Sequence, residues 1–137
     1  MVNVRIANER DFETIAKHDK HISETTLKKK IANNQILIAE MNGEFVGWLR
    51  WGLFWDEIPF MNMLYVLEKY QNKRIGTTIV RKWEQMMLAE GFDKVMTSTL
   101  EQESAKYFYC KLGYRNLGKF TPFADEYEIV MGKNLLN

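Results

Sequence analysis

The segment that most restricts the fold runs from Ile58 to Glu90. An apolar run, "IPFMNMLYV", leads into a polar loop, "YQNKRIGTT", and then into an amphipathic stretch ending "WEQMMLAEG". Ile75, Ile79, Trp83, Met86 and Met87 recur roughly one helical turn apart, the spacing of a helix with one buried face. Gly91 stands where a helix C-terminus favours glycine. The segment therefore reads as strand, short loop and helix, and a chain built around it is mixed α/β.

The flanking sequence supplies the other elements. Val2 to Ile6 alternates as a strand does. Asn8 is placed to cap a helix through about Asp19, with Phe12, Ile15 and Ala16 facing inward. Ser23 opens a second helix, "SETTLKKKIANN", whose Lys28-Lys29-Lys30 cluster reads as a solvated face. "QILIAEM" and "EFVGWLRWGLFW" are strands joined by Asn42-Gly43, a strong hairpin signal. Pro59 falls at the start of the fourth strand, where a missing N–H does least harm. "KVMTSTL" is a strand, "ESAKYFYCKLG" a short helix closed by Gly113, and "YRNLGKF" and "YEIVMGKNL" the last strands. The expected order is β-α-α-β-β-β-α-β-α-β-β, in one domain over residues 1–137.

Bulk properties exclude several classes. With 137 residues, 46% of them hydrophobic and 27% charged, the chain can bury a core of its own. A net charge of +1 gives no general attraction to nucleic acid or an anionic membrane. No apolar run approaches the roughly 20 residues that span a bilayer, and "MVNVRIANERDFE" lacks the pattern of a secretory signal. Cys110 is the one cysteine, set among core-like aromatics with no evident base partner. It suits a reducing cytoplasm and reads as inert.

A strand, a tight loop and a helix N-terminus together make an anion site. The first amides of a helix have no partner within it, and the helix dipole adds roughly half a positive charge there. Phosphate or pyrophosphate is the natural guest. Residues 71–77 offer consecutive amides, Lys73, Arg74 and Thr77. Neither G-x-x-x-x-G-K-[ST] nor G-x-G-x-x-G occurs, so the two best-known phosphate loops are excluded. On this fragment alone, an ordinary βα loop remains an equal reading.

"YQNKRIGTTIV" followed by "SAKYFYCKLGY" resembles the GNAT superfamily of acyl-CoA-dependent N-acyltransferases. The family's first motif, Gln/Arg-x-x-Gly-x-Gly/Ala, falls on Gln71, Arg74 and Gly76; its second, like A-x-x-x-Y-x-K-x-G-F/Y, falls on Ala105, Tyr109, Lys111, Gly113 and Tyr114. The element order is similar too. The resemblance implies a central, mostly antiparallel mixed sheet of about seven strands with four helices. It also implies acetyl-CoA as co-substrate, held by Leu64, Tyr65, Val66, Gln71, Asn72, Lys73, Arg74, Ile75, Gly76, Thr77 and Gln102, with no metal. Arg74 departs from the family, which usually has Gly there. Arginine keeps the same N–H, provided its φ stays negative, and adds a cation that can pair with phosphate.

The reaction so implied needs a polarised thioester carbonyl, a neutral amine and a protonated leaving thiolate. The resemblance assigns the first to amides of the fourth strand, where it splays from the fifth, and the third to Tyr109. Packing is the competing reading of Tyr109. Some relatives carry a basic Glu twelve residues before that Tyr; here the position is Thr97, which cannot serve. Glu57 is the first alternative, followed by Glu101, His21 or an ordered water chain. A small-molecule or peptide amine is the expected acceptor. Trp51 and Trp55 can wall a pocket for it, or serve a core or a homodimer contact. Two other readings remain: a non-catalytic CoA-binding module, and a self-associating domain using the aromatic third strand.

Overall fold

The computed structural model describes residues 1–123 and 125–136. Its elements are β1 (Val2–Ile6), a 3-10 turn (Glu9–Asp11), α1 (Phe12–His18), α2 (Glu24–Ala32), β2 (Ile36–Met41), β3 (Glu44–Phe54), β4 (Ile58–Val66), a second 3-10 turn (Glu68–Tyr70), α3 (Ile75–Ala89), β5 (Lys94–Leu100), α4 (Ala105–Lys111), β6 (Arg115–Phe120) and β7 (Glu128–Asn134). The expected order holds, apart from the two 3-10 turns. The seven strands form one sheet in the order β1-β2-β3-β4-β5-β7-β6. β4 and β5 are parallel, whereas β1–β2, β2–β3, β5–β7 and β6–β7 are antiparallel.

Residues cluster into two compact units: Met1–Trp51 with Met63–Trp83, and Gly52–Asn62 with the chain from Glu84 onward. In the first, Ala7, Ile15, Leu27, Ile31, Ile36, Ile38 and Trp48 form the core, with Phe12 and Ala16 packed against it. Asn8 caps the 3-10 turn that precedes α1. Its Oδ1 accepts from the Arg10 amide at 2.9 Å, while its own amide donates to Asp11 Oδ2 at 2.8 Å. Ser23 Oγ accepts from the Thr26 amide at 3.2 Å and caps α2. Asn42 and Gly43 turn the hairpin with φ of 54° and 80°, both in the left-handed region such turns demand.

Lys28-Lys29-Lys30 is more than a solvated face. Lys28 Nζ lies 5.0 Å from the centre of the Phe12 ring, and Lys30 Nζ donates to the Trp51 carbonyl at 2.7 Å. Trp51 is 5% exposed, with its ring 6.4 Å from that of Trp83. It is core and walls no pocket.

A bulge in β3 sets the geometry of one face. Ala39 pairs with Gly47 but Glu40 with Phe45, so Val46 is the extra residue. Strict alternation would send Phe45 and Trp48 to opposite faces. The bulge stacks them, ring centres 5.9 Å apart. Gly47 is required by close approach: a Cβ there would lie 2.7 Å from the Tyr65 carbonyl oxygen.

In the second unit, Trp55 and Asp56 turn the chain from β3 to β4 with φ of 56° and 60°. Trp55 is largely exposed, with its ring 4.7 Å from that of Phe54. β5 pairs with β7 from Lys94↔Asn134 to Leu100↔Glu128. Cys110 is exposed on α4 rather than enclosed by aromatics.

Candidate active site

The 71–77 loop follows β4 directly and leads into α3. Gln71 Nε2 donates to the Val66 carbonyl at 2.8 Å, tying the loop to the strand end. Asn72 and Arg74 both take left-handed conformations, with φ of 66° and 62°. The condition set for Arg74, a negative φ, is therefore not met. The loop needs the backbone shape that glycine adopts freely, and a side chain here costs about 1–2 kcal/mol. The first helical bond runs from the Thr78 amide to the Arg74 carbonyl at 3.1 Å. The amides of Ile75, Gly76 and Thr77 consequently have no acceptor within the helix. Ile75 contributes only its amide, since its side chain is buried. Gln71, Asn72, Lys73 and Arg74 are exposed.

A stability difference should follow. Arg74→Gly removes the left-handed penalty and should raise the melting temperature by about 3 °C, for roughly 1 kcal/mol gained. Arg74→Ala keeps a Cβ and should leave it unchanged. Equal melting curves for both variants would refute the assignment of strain to Arg74.

Leu64, Tyr65 and Val66 end β4. The parallel pairing with β5 comprises Phe60↔Met96 and Met61↔Thr97, near the start of β4. From Met63 on, the strand clusters with the first unit. The Tyr65 side chain is 43% exposed, and its ring meets that of Trp48 at 5.5 Å.

Tyr109 belongs to the second unit. It is 6% exposed, with ring centres of Phe108 at 5.1 Å and Tyr114 at 5.5 Å, both edge-on. Burial pushes its phenol up to about 12, and a hydrogen bond with the Thr97 side chain pulls partly back. The Thr97 hydroxyl donates to the Met61 carbonyl at 3.0 Å, so the neutral phenol donates in turn to Thr97 Oγ1. Thr97, which cannot be a base, thus holds Tyr109 in its protonated form. The sequence carried no sign of that partnership.

The other acid–base candidates lie scattered. Glu57 is exposed in the β3–β4 turn and its carboxylate makes no hydrogen bond among the described residues. Glu101 pairs with Lys119 at 3.2 Å. His21 is exposed, and only its amide is anchored, on Asp19 Oδ1 at 3.1 Å. Gln102 is exposed in the turn after β5. Among the described residues no group of three or more His, Cys, Asp or Glu side chains is assembled for a metal, and no helix is long and apolar enough to cross a membrane.

Two buried networks escaped the sequence reading. Asp19, its side chain fully enclosed, accepts from Arg50 Nε at 2.9 Å and Trp48 Nε1 at 3.2 Å through Oδ2, and from Arg50 Nη2 at 3.3 Å through Oδ1. Burial alone would raise its carboxyl. The Arg50 bonds, the His21 amide and the Trp48 indole outweigh that and hold it below the usual range. In the second unit, Glu84 accepts from Tyr114 at 2.8 Å and from Lys133 at 2.9 Å. An arginine two residues from a tryptophan on one strand was the available signal, because a buried guanidinium demands a carboxylate.

The profile of the acetyltransferase (GNAT) family matches residues 4–114. The chain belongs to this family. It is 26% identical over 98 residues to an uncharacterised N-acetyltransferase of Chlorobaculum tepidum; the match covers 68% of this chain and 61% of that protein. The chain thus spans about three-fifths of the length of that curated relative. Among solved GNAT structures, the PaiA N-acetyltransferase of Thermoplasma acidophilum, in complex with coenzyme A, superimposes with a TM-score of 0.78 at 19% identity, over 98% of this chain and 99% of that one. Ard1 of Thermoplasma volcanium gives a TM-score of 0.85 at 12% identity, over 99% of both chains. The GNAT fold, with its mixed seven-stranded sheet, is common to them and to this chain.

Proposed function

We propose that this chain is a cytoplasmic, acetyl-CoA-dependent N-acetyltransferase acting on a primary amine of a small molecule or peptide, and that residues 1–137 form one catalytic domain. The observation that carries the reading is the α3 N-terminus. Three successive amides without a helical acceptor follow a loop of two left-handed residues, at the family's phosphate motif. The residues present fit a pyrophosphate: amides of Ile75, Gly76 and Thr77, no side chain on Gly76, and the cations of Lys73 and Arg74 nearby in sequence. The relative solved with coenzyme A supports the same assignment.

Bound acetyl-CoA supplies an activated acyl group. Amides among Leu64, Tyr65 and Val66 then hold the acyl oxygen, which gains negative charge as the amine attacks. Tyr109 gives its proton to the departing sulfur. A phenol kept protonated by burial suits that donor role. Gln102 adds a cofactor contact from the turn after β5. Glu57 is the carboxylate on offer for the amine proton, though nothing holds it in place.

A second reading, a CoA-binding module without turnover, draws on the near-complete burial of Tyr109. Release of free thiol from acetyl-CoA, measured across a panel of alkyl, aryl and peptide amines, separates the two. Amine-dependent release supports the transferase. Binding of acetyl-CoA with no release for any amine supports the module.

A further inference from the structure

We infer that His18 is the proton acceptor for the incoming amine, an inference that rests on the transferase reading. His18 ends α1, and its Nδ1 lies 3.0 Å from the Thr14 carbonyl oxygen. A carbonyl only accepts. Nδ1 therefore carries the hydrogen of the neutral ring, and the lone pair is on Nε2. Nε2 makes no hydrogen bond among the described residues.

The ring is held on its faces as well. Its centre lies 5.2 Å from that of Phe45 and 6.2 Å from that of Trp48. The next residue, Asp19, is locked by Arg50 and Trp48. Trp48 in turn meets the ring of Tyr65, which projects from the strand proposed to carry the acyl group. One indole thus links the imidazole to Tyr65. The β3 bulge makes this possible by bringing Phe45 and Trp48 to one face. Glu57, Glu101 and His21 lack this combination of a fixed ring, a free lone pair and continuity with β4.

The proton balance closes. The ammonium loses one proton to Nε2, which passes it to solvent, and the neutral nitrogen attacks the thioester carbon. The C–S bond breaks with its electron pair on sulfur, and the thiolate takes the Tyr109 proton. The nitrogen loses its second proton as the amide forms, and that proton restores Tyr109. The products are amide, free thiol and one released proton.

The test uses His18→Asn, whose amide N–H can keep the bond to the Thr14 carbonyl while the basic nitrogen is lost. Thiol release at saturating acetyl-CoA should fall by about 10²-fold, with unchanged acetyl-CoA affinity and melting temperature, and added imidazole should restore part of the rate. Long-range 1H–15N NMR on the unliganded protein should find His18 as the Nδ1–H tautomer. An Nε2–H tautomer would overturn the inference whether or not any amine is turned over. A full rate in His18→Asn would do the same, as would loss without imidazole rescue, or loss of rate in Glu57→Gln with His18→Asn unaffected. Absence of turnover by the wild-type protein with every amine, while His18 is the Nδ1–H tautomer, would instead count against the transferase reading.

Discussion

Tyr109→Phe should slow acetyl transfer by about 10²-fold, the lower end for loss of a general acid, because a thiolate is already a fair leaving group. The substitution keeps the ring and its edge-on contacts with Phe108 and Tyr114 and removes only the hydroxyl. Affinity for acetyl-CoA should change little. The phenol also leaves a stability signature. Its folded value of about 12 lies above the ordinary value of about 10, so the unfolded chain ionises first as pH rises. Stability is unaffected below pH 10 and is lost between about pH 10 and 12, by about 2–3 kcal/mol at most. Tyr109→Phe should abolish that part of the alkaline fall. A purely structural tyrosine predicts the same alkaline signature with an unchanged rate. Thiol-release kinetics and melting curves across alkaline pH, on one pair of proteins, therefore distinguish acid from packing.

The largest expected loss of stability is at Asp19. Asp19→Ala leaves the guanidinium of Arg50, whose side chain is 9% exposed, without its carboxylate and strips the Trp48 indole of its acceptor. Removing one partner of a buried ion pair costs about 3–5 kcal/mol, chiefly because the other charge stays buried. Replacing Arg50 by Met as well should recover part of that cost. The pH dependence has a definite sign. The carboxyl is held below its ordinary value, so its contribution is present above the unfolded pKa and is lost as pH falls through the folded one. Denaturant unfolding of the single and double variants at neutral and acidic pH checks both points. An Asp19→Ala protein within 1 kcal/mol of wild type would contradict the network as drawn.

Local chemistry made the architecture legible. Asn42-Gly43, the Ser23 cap, and Gly91 and Gly113 at φ of 99° each act within a few residues, so the element order could be read along the chain. The 71–77 loop was legible for the same reason, because a helix N-terminus presents amides whatever lies elsewhere. What depended on three-dimensional pairing was not. The bulge at Val46 shifts Phe45 onto the face of Trp48, and no local residue signals it. The turn at Trp55 and Asp56 contains neither Gly nor Asn, although both residues are left-handed. Asp19 read as the end of a helix, because its partner Arg50 is far along the chain. Trp51 and Trp55 were read as one pair, yet Trp51 packs on Trp83 and Trp55 faces solvent. Thr97 was dismissed for lacking a carboxylate, whereas its hydroxyl is what Tyr109 meets.

Every functional statement about this protein depends on the β4–α3 loop holding the pyrophosphate of CoA. Titration calorimetry of acetyl-CoA into the wild-type protein and Gly76→Val tests that dependence most directly. Gly76 sits in the first turn of α3, half-exposed, where a β-branched residue is compatible with folding but occupies the space above three free amides. The wild-type protein should bind, and the variant, with its melting curve intact, should bind at least about tenfold more weakly, a loss of roughly 1.4 kcal/mol. Equal affinity in a folded Gly76→Val protein, or no binding by the wild type, would contradict the account.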